Sequence, residues 1–385
     1  MTLPVLNLPE SLNYIGVFLT LDCNLKCAYC INGEDLAQDR RPFGRPETTL
    51  TPEQWVQGLA RIPYRADLPI TLQGGEPTVY RGGRGLGAIV GVLPHHFDLL
   101  TNLMIKADRF RDSIGGNVEK FQRPAPYPSV RVSYHTAEME RVFGVNAFEQ
   151  LIMRCESLSK IGLQISPNKA KSDVGIYMVA HPENGAIAKL QEQANGRIPL
   201  ETKTFLGTHE GRLFGDYLYP YSTNLPGSGI WNSTLQCECR TTELLIDALG
   251  FIWQCHYHLY KAWARRQPPT LHAQLAERGY RFKDNRAQWG NAQMQGLIGH
   301  LLDPAFETSD LATFRPCPSY GSCVGCDTKI KNDRFQSLDD ANQPHTSVEI
   351  RNIEVPQELA QRLQGNAGWH DWQPFLKDGG PTPHG

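Results

Sequence analysis

The sequence predicts an α/β fold, a parallel sheet with helices outside it, followed by a second, smaller domain. Three observations lead there. Strand-like and helix-like segments alternate about six times over roughly the first 200 residues, the pattern of a parallel sheet built from strand–helix units. Cys23, Cys27 and Cys30 stand at C-x3-C-x2-C spacing directly after the first strand-like run, and every other cysteine except Cys155 falls between Cys237 and Cys326. Between the two groups lies a Pro-, Gly- and Tyr-rich connector, PYSTNLPGSG, where a domain boundary is expected.

Residues 1–12 read as a lead-in and 13–215 as the first domain. Tyr14 to Leu21 mixes β-branched and aromatic residues over a strand length and feeds into the cysteine loop. Residues 31–50 are polar, without apolar period, and read as a loop; Glu34, Asp35, Arg40 and Arg41 there are either solvated or touch substrate. Thr51-Pro52-Glu53-Gln54 is a helix start, with Thr51 as cap, Pro52 at the first turn and Gln54 closing a capping box. Strands are expected at Leu68 to Leu72, Phe97 to Thr101, Pro128 to Tyr134, Val174 to Val179 and Leu200 to Leu206. Helices are expected at Leu86 to Val92, Met104 to Ile114, Ala147 to Ile161 and Gly185 to Gln193. In the third of these, Phe148, Leu151, Ile152, Cys155 and Leu158 form one stripe, which makes Cys155 a core residue.

The 385 residues carry a formal charge of -2 and ten cysteines. Near-neutrality gives no electrostatic case for nucleic acid or an anionic membrane. The cationic stretch from Lys261 to Arg286 also holds Glu277 and Asp284 and reads as a solvated helical face. The start, MTLPVLNLPES, lacks the pattern of a secretory signal, and no apolar run is long enough to span a bilayer, so a cytoplasmic location is expected. In that compartment thiols stay reduced, and many cysteines argue for metal rather than disulfides.

Three thiolates on so short a loop can hold one iron-sulfur cluster, each taking a different iron, and leave a fourth iron open for chemistry. A zinc site is the other chemistry this spacing allows. Further on, Gly74-Gly75-Glu76-Pro77 follows the second strand: two glycines let backbone approach a ligand, and Glu76 offers an acceptor for an ammonium. The cysteine loop, with Tyr29 just before its third cysteine, and the GGEP segment together resemble the signature of the radical S-adenosylmethionine superfamily.

That resemblance implies a partial (β/α)6 TIM-like barrel over 13–215, with a 4Fe-4S cluster on Cys23, Cys27 and Cys30 and S-adenosylmethionine bound at the strand ends. Gly74, Gly75, Glu76 and Pro77 would hold the cofactor's amino group. Strand-end positions after the third and fourth strands add Asn102, Ser133 and His135, and Met178 on the fifth strand would pack on adenine. Ser133 and Met178 equally fit a strand-end hydroxyl and a core methionine.

The second domain, 216–340, contains Cys237 and Cys255 in a C-x12-G-x4-C hairpin pattern whose extra member is Cys239, then Cys317, Cys323 and Cys326 in C-x5-C-x2-C. This is similar to the SPASM/Twitch extensions of the superfamily, with fewer cysteines than the full SPASM form. The resemblance implies a small α+β domain with one auxiliary iron-sulfur cluster on Cys237, Cys255, Cys323 and Cys326. Cys239 and Cys317 are substitutes, or ligands of a second, open cluster; structural zinc is the rival. His256 and His258 flank Tyr257 beside Cys255 and read as solvated strand-end residues. Residues 341–385 form a C-terminal extension whose last residues read as disordered.

The implied activity is reductive cleavage of S-adenosylmethionine to a 5′-deoxyadenosyl radical that takes hydrogen from a substrate, leading to oxidation, bond formation or rearrangement. Flavodoxin or ferredoxin would donate the electron. Only 22 residues precede Cys23, which favours a small metabolite over a ribosomally made precursor peptide. A glycyl-radical activating enzyme and a non-catalytic iron-sulfur or zinc protein are the remaining alternatives.

Overall fold

The computed structural model describes residues 3–10, 12–27, 30, 49–184, 187–204, 207–209, 212–214, 238–241, 243–256, 258–259, 296–308, 311, 315–316 and 348–351. Their organising element is β1 (Tyr14–Thr20), buried along its whole length. A strand buried on both faces belongs at the centre of a sheet, and β1 has parallel partners on both sides.

In chain order follow α1 (Pro52–Leu59), β2 (Ile70–Gly74), α2 (Gly85–Val90), β3 (Phe97–Thr101), α3 (Ala107–Ser113), β4 (Val130–Ser133), α4 (Thr136–Phe143), α5 (Ala147–Ser157), β5 (Val174–Ala180), α6 (Ile187–Ala194) and β6 (Leu200–Thr204). Strands β1 to β6 lie side by side in sequence order, all parallel. The predicted capping box is present: Gln54 N–H donates to Thr51 Oγ1 at 3.3 Å, and Thr51 N–H donates to Gln54 Oε1 at 2.9 Å.

The sheet does not stop at the boundary expected near residue 215. After the hairpin β7 (Gly207–His209) and β8 (Arg212–Phe214) and the strand β9 (Glu238–Thr241), the chain adds β10 (Glu243–Ile246), β11 (Phe251–Trp253) and β12 (Leu297–His300) to the free side of β1. β10 is parallel to β1, while β11 and β12 are antiparallel additions, giving a nine-stranded, largely parallel open sheet. The predicted glycine turn between β10 and β11 is there, with Gly250 at φ +89°. A second sheet pairs β9 with β13 (Arg315–Pro316) and β14 (Val348–Arg351), and so joins segments on both sides of the boundary expected at 340.

Register divides the main sheet into two unlike faces, because successive side chains alternate. Ile15, Val17, Leu19, Ile70, Leu72, Phe97, Leu99, Val130, Val132, Val174 and Ile176 share one face and one core cluster with Trp55 and Leu59 of α1, Ile89 of α2, Phe110 of α3 and Leu151 of α5. The other face carries Tyr14, Thr71, Gln73, Asp98, Arg131, Ser133, Tyr177 and Glu243, placed side by side by the strand pairings. One face therefore glues the helices on, and the other is chemically equipped.

Arg61, just past α1, is 1% exposed and ties this layer to the chain after β12. Its guanidinium donates to the carbonyls of Pro4, Leu301, Asp303 and Phe306 at 2.9, 2.7, 2.7 and 2.8 Å. No helix among the described residues is long and apolar enough to cross a membrane.

Candidate functional site

The carboxyl ends of β1 and β2 are stitched together by backbone. Gly75 N–H donates to Thr20 O at 2.7 Å and Glu76 N–H to Asp22 O at 2.8 Å, so the GGEP turn grips the first residues of the cysteine loop. Only glycine permits this approach. A Cβ on Gly75 would lie 2.1 Å from Asp22 O, and one on Gly74, whose φ is +139°, would lie 2.0 Å from Thr20 O.

Glu76 is completely buried. Its Oε1 accepts from Thr78 N–H at 3.1 Å, Thr78 Oγ1 at 2.7 Å and Thr101 Oγ1 at 2.7 Å, and its Oε2 from Asn102 N–H at 2.6 Å. Burial pushes its pKa up, against the pull of these hydrogen bonds. The expected role, an acceptor for a ligand's ammonium, falls on a carboxylate that already takes four hydrogen bonds from its own chain. It holds the ends of β2 and β3 together.

Asn102, expected to contact the cofactor, reaches back to the loop. Its Nδ2 donates to Asn24 Oδ1 at 2.6 Å and lies 3.7 Å from Cys23 Sγ. A third support comes from α4, where Glu138 Oε2 accepts from Lys26 N–H at 3.0 Å. Asn24, Thr78, Thr101 and Glu138 were not singled out by sequence reasoning. Thr78 alone had a local signal, its place two residues after a carboxylate that can cap a turn.

Cys23, Cys27 and Cys30 are half-buried and outside any disulfide, with Leu25 N–H donating to Cys23 Sγ at 3.4 Å and Cys30 N–H to Cys27 O at 3.2 Å. Burial pushes Cys23 up to about 12, helped by the nearby charges of Glu76 and Cys30. Cys27 is raised as well, by burial first and then by Cys30 and Cys23. The three thiols thus sense one another, and a bound cation is what would let them ionise together. Among the described residues no group of three or more His, Cys, Asp or Glu is arranged to hold a single metal ion. The donor set fits a cluster: soft thiolates on one short loop, each able to take its own iron.

Ser133 lies at the end of β4 on the polar face, paired with Tyr177 of β5. Met178 does not share that face. It is 2% exposed and belongs to the core under the helices, the place of the core-methionine alternative, while the residue of β5 on the polar face is Tyr177, one position earlier. His135 follows β4 and begins α4; burial lowers its pKa to about 4. Cys155 is fully buried, as its stripe implied.

Tyr29, Cys237, Cys317, Cys323 and Cys326 lie outside the described residues, and so does the side chain of Cys239. Cys255 is a half-buried cysteine outside any disulfide, just after β11. Because β11 runs antiparallel to β10, Cys255 falls at the end of the sheet where β1 begins, opposite the Cys23 loop. Its neighbour His256 turns onto the polar face, with Nδ1 3.3 Å from Glu243 Oε2 and its ring 6.5 Å from that of Tyr14.

No family model and no curated protein matches the chain. Among solved structures it is similar to Streptococcus suis SuiB bound to S-adenosylmethionine, at 14% identity and a TM-score of 0.34 over 80% of this chain and 78% of that one. It is likewise similar to the same protein bound to precursor peptide SuiA, at 12% identity and a TM-score of 0.33 over 81% and 77%. Likeness of this degree decides neither fold nor function, which rest on the residues of the site.

Proposed function

We propose that the chain is a radical S-adenosylmethionine enzyme acting on an organic substrate held against the polar face, and that the parallel strands form the wall of a partial (β/α)6 barrel. The supporting observation is the pair of backbone hydrogen bonds from Gly75 and Glu76 to Thr20 and Asp22, which makes the cysteine loop and the GGEP turn one rigid unit at the carboxyl ends of adjacent strands. Such ends are where parallel α/β folds bind ligands.

Cys23, Cys27 and Cys30 would hold the cluster, which when bound supplies the electron that cleaves S-adenosylmethionine to methionine and a hydrogen-abstracting 5′-deoxyadenosyl radical. The chain's own work is positional. Glu76 fixes the β2–β3 end, Asn102 and Glu138 fix the loop from two sides, and Ser133 presents a hydroxyl on the face where ligand is expected. The apolar layer behind the strands closes the site to water from the helix side. Cys237, Cys255, Cys323 and Cys326 are the proposed ligands of one auxiliary cluster, with Cys239 and Cys317 as further thiols.

The test is the electron paramagnetic resonance spectrum of the anaerobically reconstituted, dithionite-reduced full chain, with and without S-adenosylmethionine. A signal that shifts on addition of the cofactor is expected, because the open iron gains ligands. A signal indifferent to it contradicts the proposal.

A further inference from the structure

The polar face holds a buried charge that its neighbours do not balance. Asp98 of β3 is shared by two guanidiniums: Arg123 Nη2 lies 2.6 Å from its Oδ1 and Arg131 Nη2 3.2 Å from its Oδ2. The side chains of Asp98, Arg123 and Arg131 are 0%, 1% and 8% exposed. Tyr127 stacks beside both cations, with its ring centroid 4.8 Å from Arg123 and 5.3 Å from Arg131. One carboxylate against two guanidiniums leaves a net positive charge.

The excess sits on Arg131. Arg123 makes two hydrogen bonds to Asp98 Oδ1, whereas Arg131 has the single longer one, and its buried Nε has no partner. Among the described residues no carboxylate other than Asp98 is within ion-pair distance of Arg131. Glu243, the other buried acid of this face, lies on β10 beyond β1, with His256 Nδ1 3.3 Å from its Oε2. A cation kept out of water with an empty donor is costly, and a purely structural brace at this place would be served as well by an apolar side chain.

Placement gives the charge a use. Arg131 and Ser133 lie on the same face of β4, two residues or about 7 Å apart along the strand, and Ser133 is at the carboxyl-terminal end of the parallel strands, the end from which the cysteine loop leaves β1, with β2 and β3 lying between. The planar guanidinium fork suits a carboxylate. We infer that Arg131, held by Asp98 and flanked by Tyr127, is a carboxylate-binding position for the substrate, so that the substrate is an acid anchored on the polar face below the cofactor. The inference rests on the proposed reading of this face as the substrate side.

Saturation-transfer NMR on the full chain tests it with acetate as the probe and acetamide as its neutral isostere. Acetate is expected to take up saturation and acetamide at the same concentration is not. Arg131→Gln, folded by circular dichroism, should lower the acetate response about tenfold, and Arg131→Lys, which keeps the charge but loses the fork, should fall between wild type and Arg131→Gln. Equal responses from acetate and acetamide, or an unaltered acetate response in Arg131→Gln, overturn the inference. Competition by succinate against a blocked glutamyl amide then tells whether the acid belongs to a small metabolite or a peptide side chain, and stronger competition by either supports carboxylate capture. Acetate binding needs neither iron nor reductant. Absent radical chemistry with intact acetate binding therefore contradicts the proposed function alone, and the converse contradicts this inference alone.

Discussion

Glu76 sits at the junction of three strands' worth of chain, and its four acceptor contacts make it the residue on which the site's rigidity turns. Glu76→Ala should cost about 2–4 kcal/mol by urea denaturation, because buried donors on Thr78, Thr101 and Asn102 lose a charged partner. A loss below about 0.5 kcal/mol, the size of an ordinary surface change, would show that the network is incidental. Gly75→Ala acts on the loop directly: the new methyl meets Asp22 O, the turn has to shift, and iron retained after reconstitution should fall. His135 adds a pH dependence. Its pKa is lowered to about 4 in the native state, so between about pH 6.5 and 4 the unfolded chain binds a proton that the folded one refuses. Stability from this group is therefore present above that window and lost as pH falls through it, by on the order of 3 kcal/mol. Denaturation midpoints at pH 7 and pH 4.5 should converge in His135→Gln, and an unchanged gap would contradict the assignment.

At the scale of elements, Arg61 joins the end of α1 to the segment after β12 through the carbonyls of Leu301, Asp303 and Phe306, and to the lead-in through that of Pro4. Arg61→Ala should cost about 3–5 kcal/mol and raise amide exchange at Leu301 and Phe306 first. Protection unchanged there would mean that the contacts are not what docks the segment. The strands were legible in the sequence because each is a short β-branched run bounded by turn residues, and α1 because its cap chemistry is local. Helix α4 was not: TAEMERVF has a single buried residue, Met139, and so no apolar stripe to read. The pairing of β10 with β1 was invisible for another reason, since contacts between residues some 230 positions apart leave no local pattern. The cysteines and glycines of the site could be read from spacing, whereas the supports from Asn24, Thr101 and Glu138 arise only when the strand ends meet. Met178 shows the limit of reading a strand without its register: one residue's difference separates the helix core from the polar face.

For the molecule as a whole, the sheet sorts its chemistry by face and by end. One face is apolar and carries the helices; the other bears Tyr14, Asp98, Arg131 and Glu243, with the Cys23 loop at one end and Cys255 at the other. On the proposed function, a radical formed at the Cys23 end calls for a substrate held on the polar face by groups that do not themselves move. The measurement that bears most directly on this account is 5′-deoxyadenosine formed from S-adenosylmethionine by the anaerobically reconstituted full chain after dithionite reduction. Wild type should release it and Cys27→Ala should not; no release from wild type, or the same yield from Cys27→Ala, would contradict the radical function.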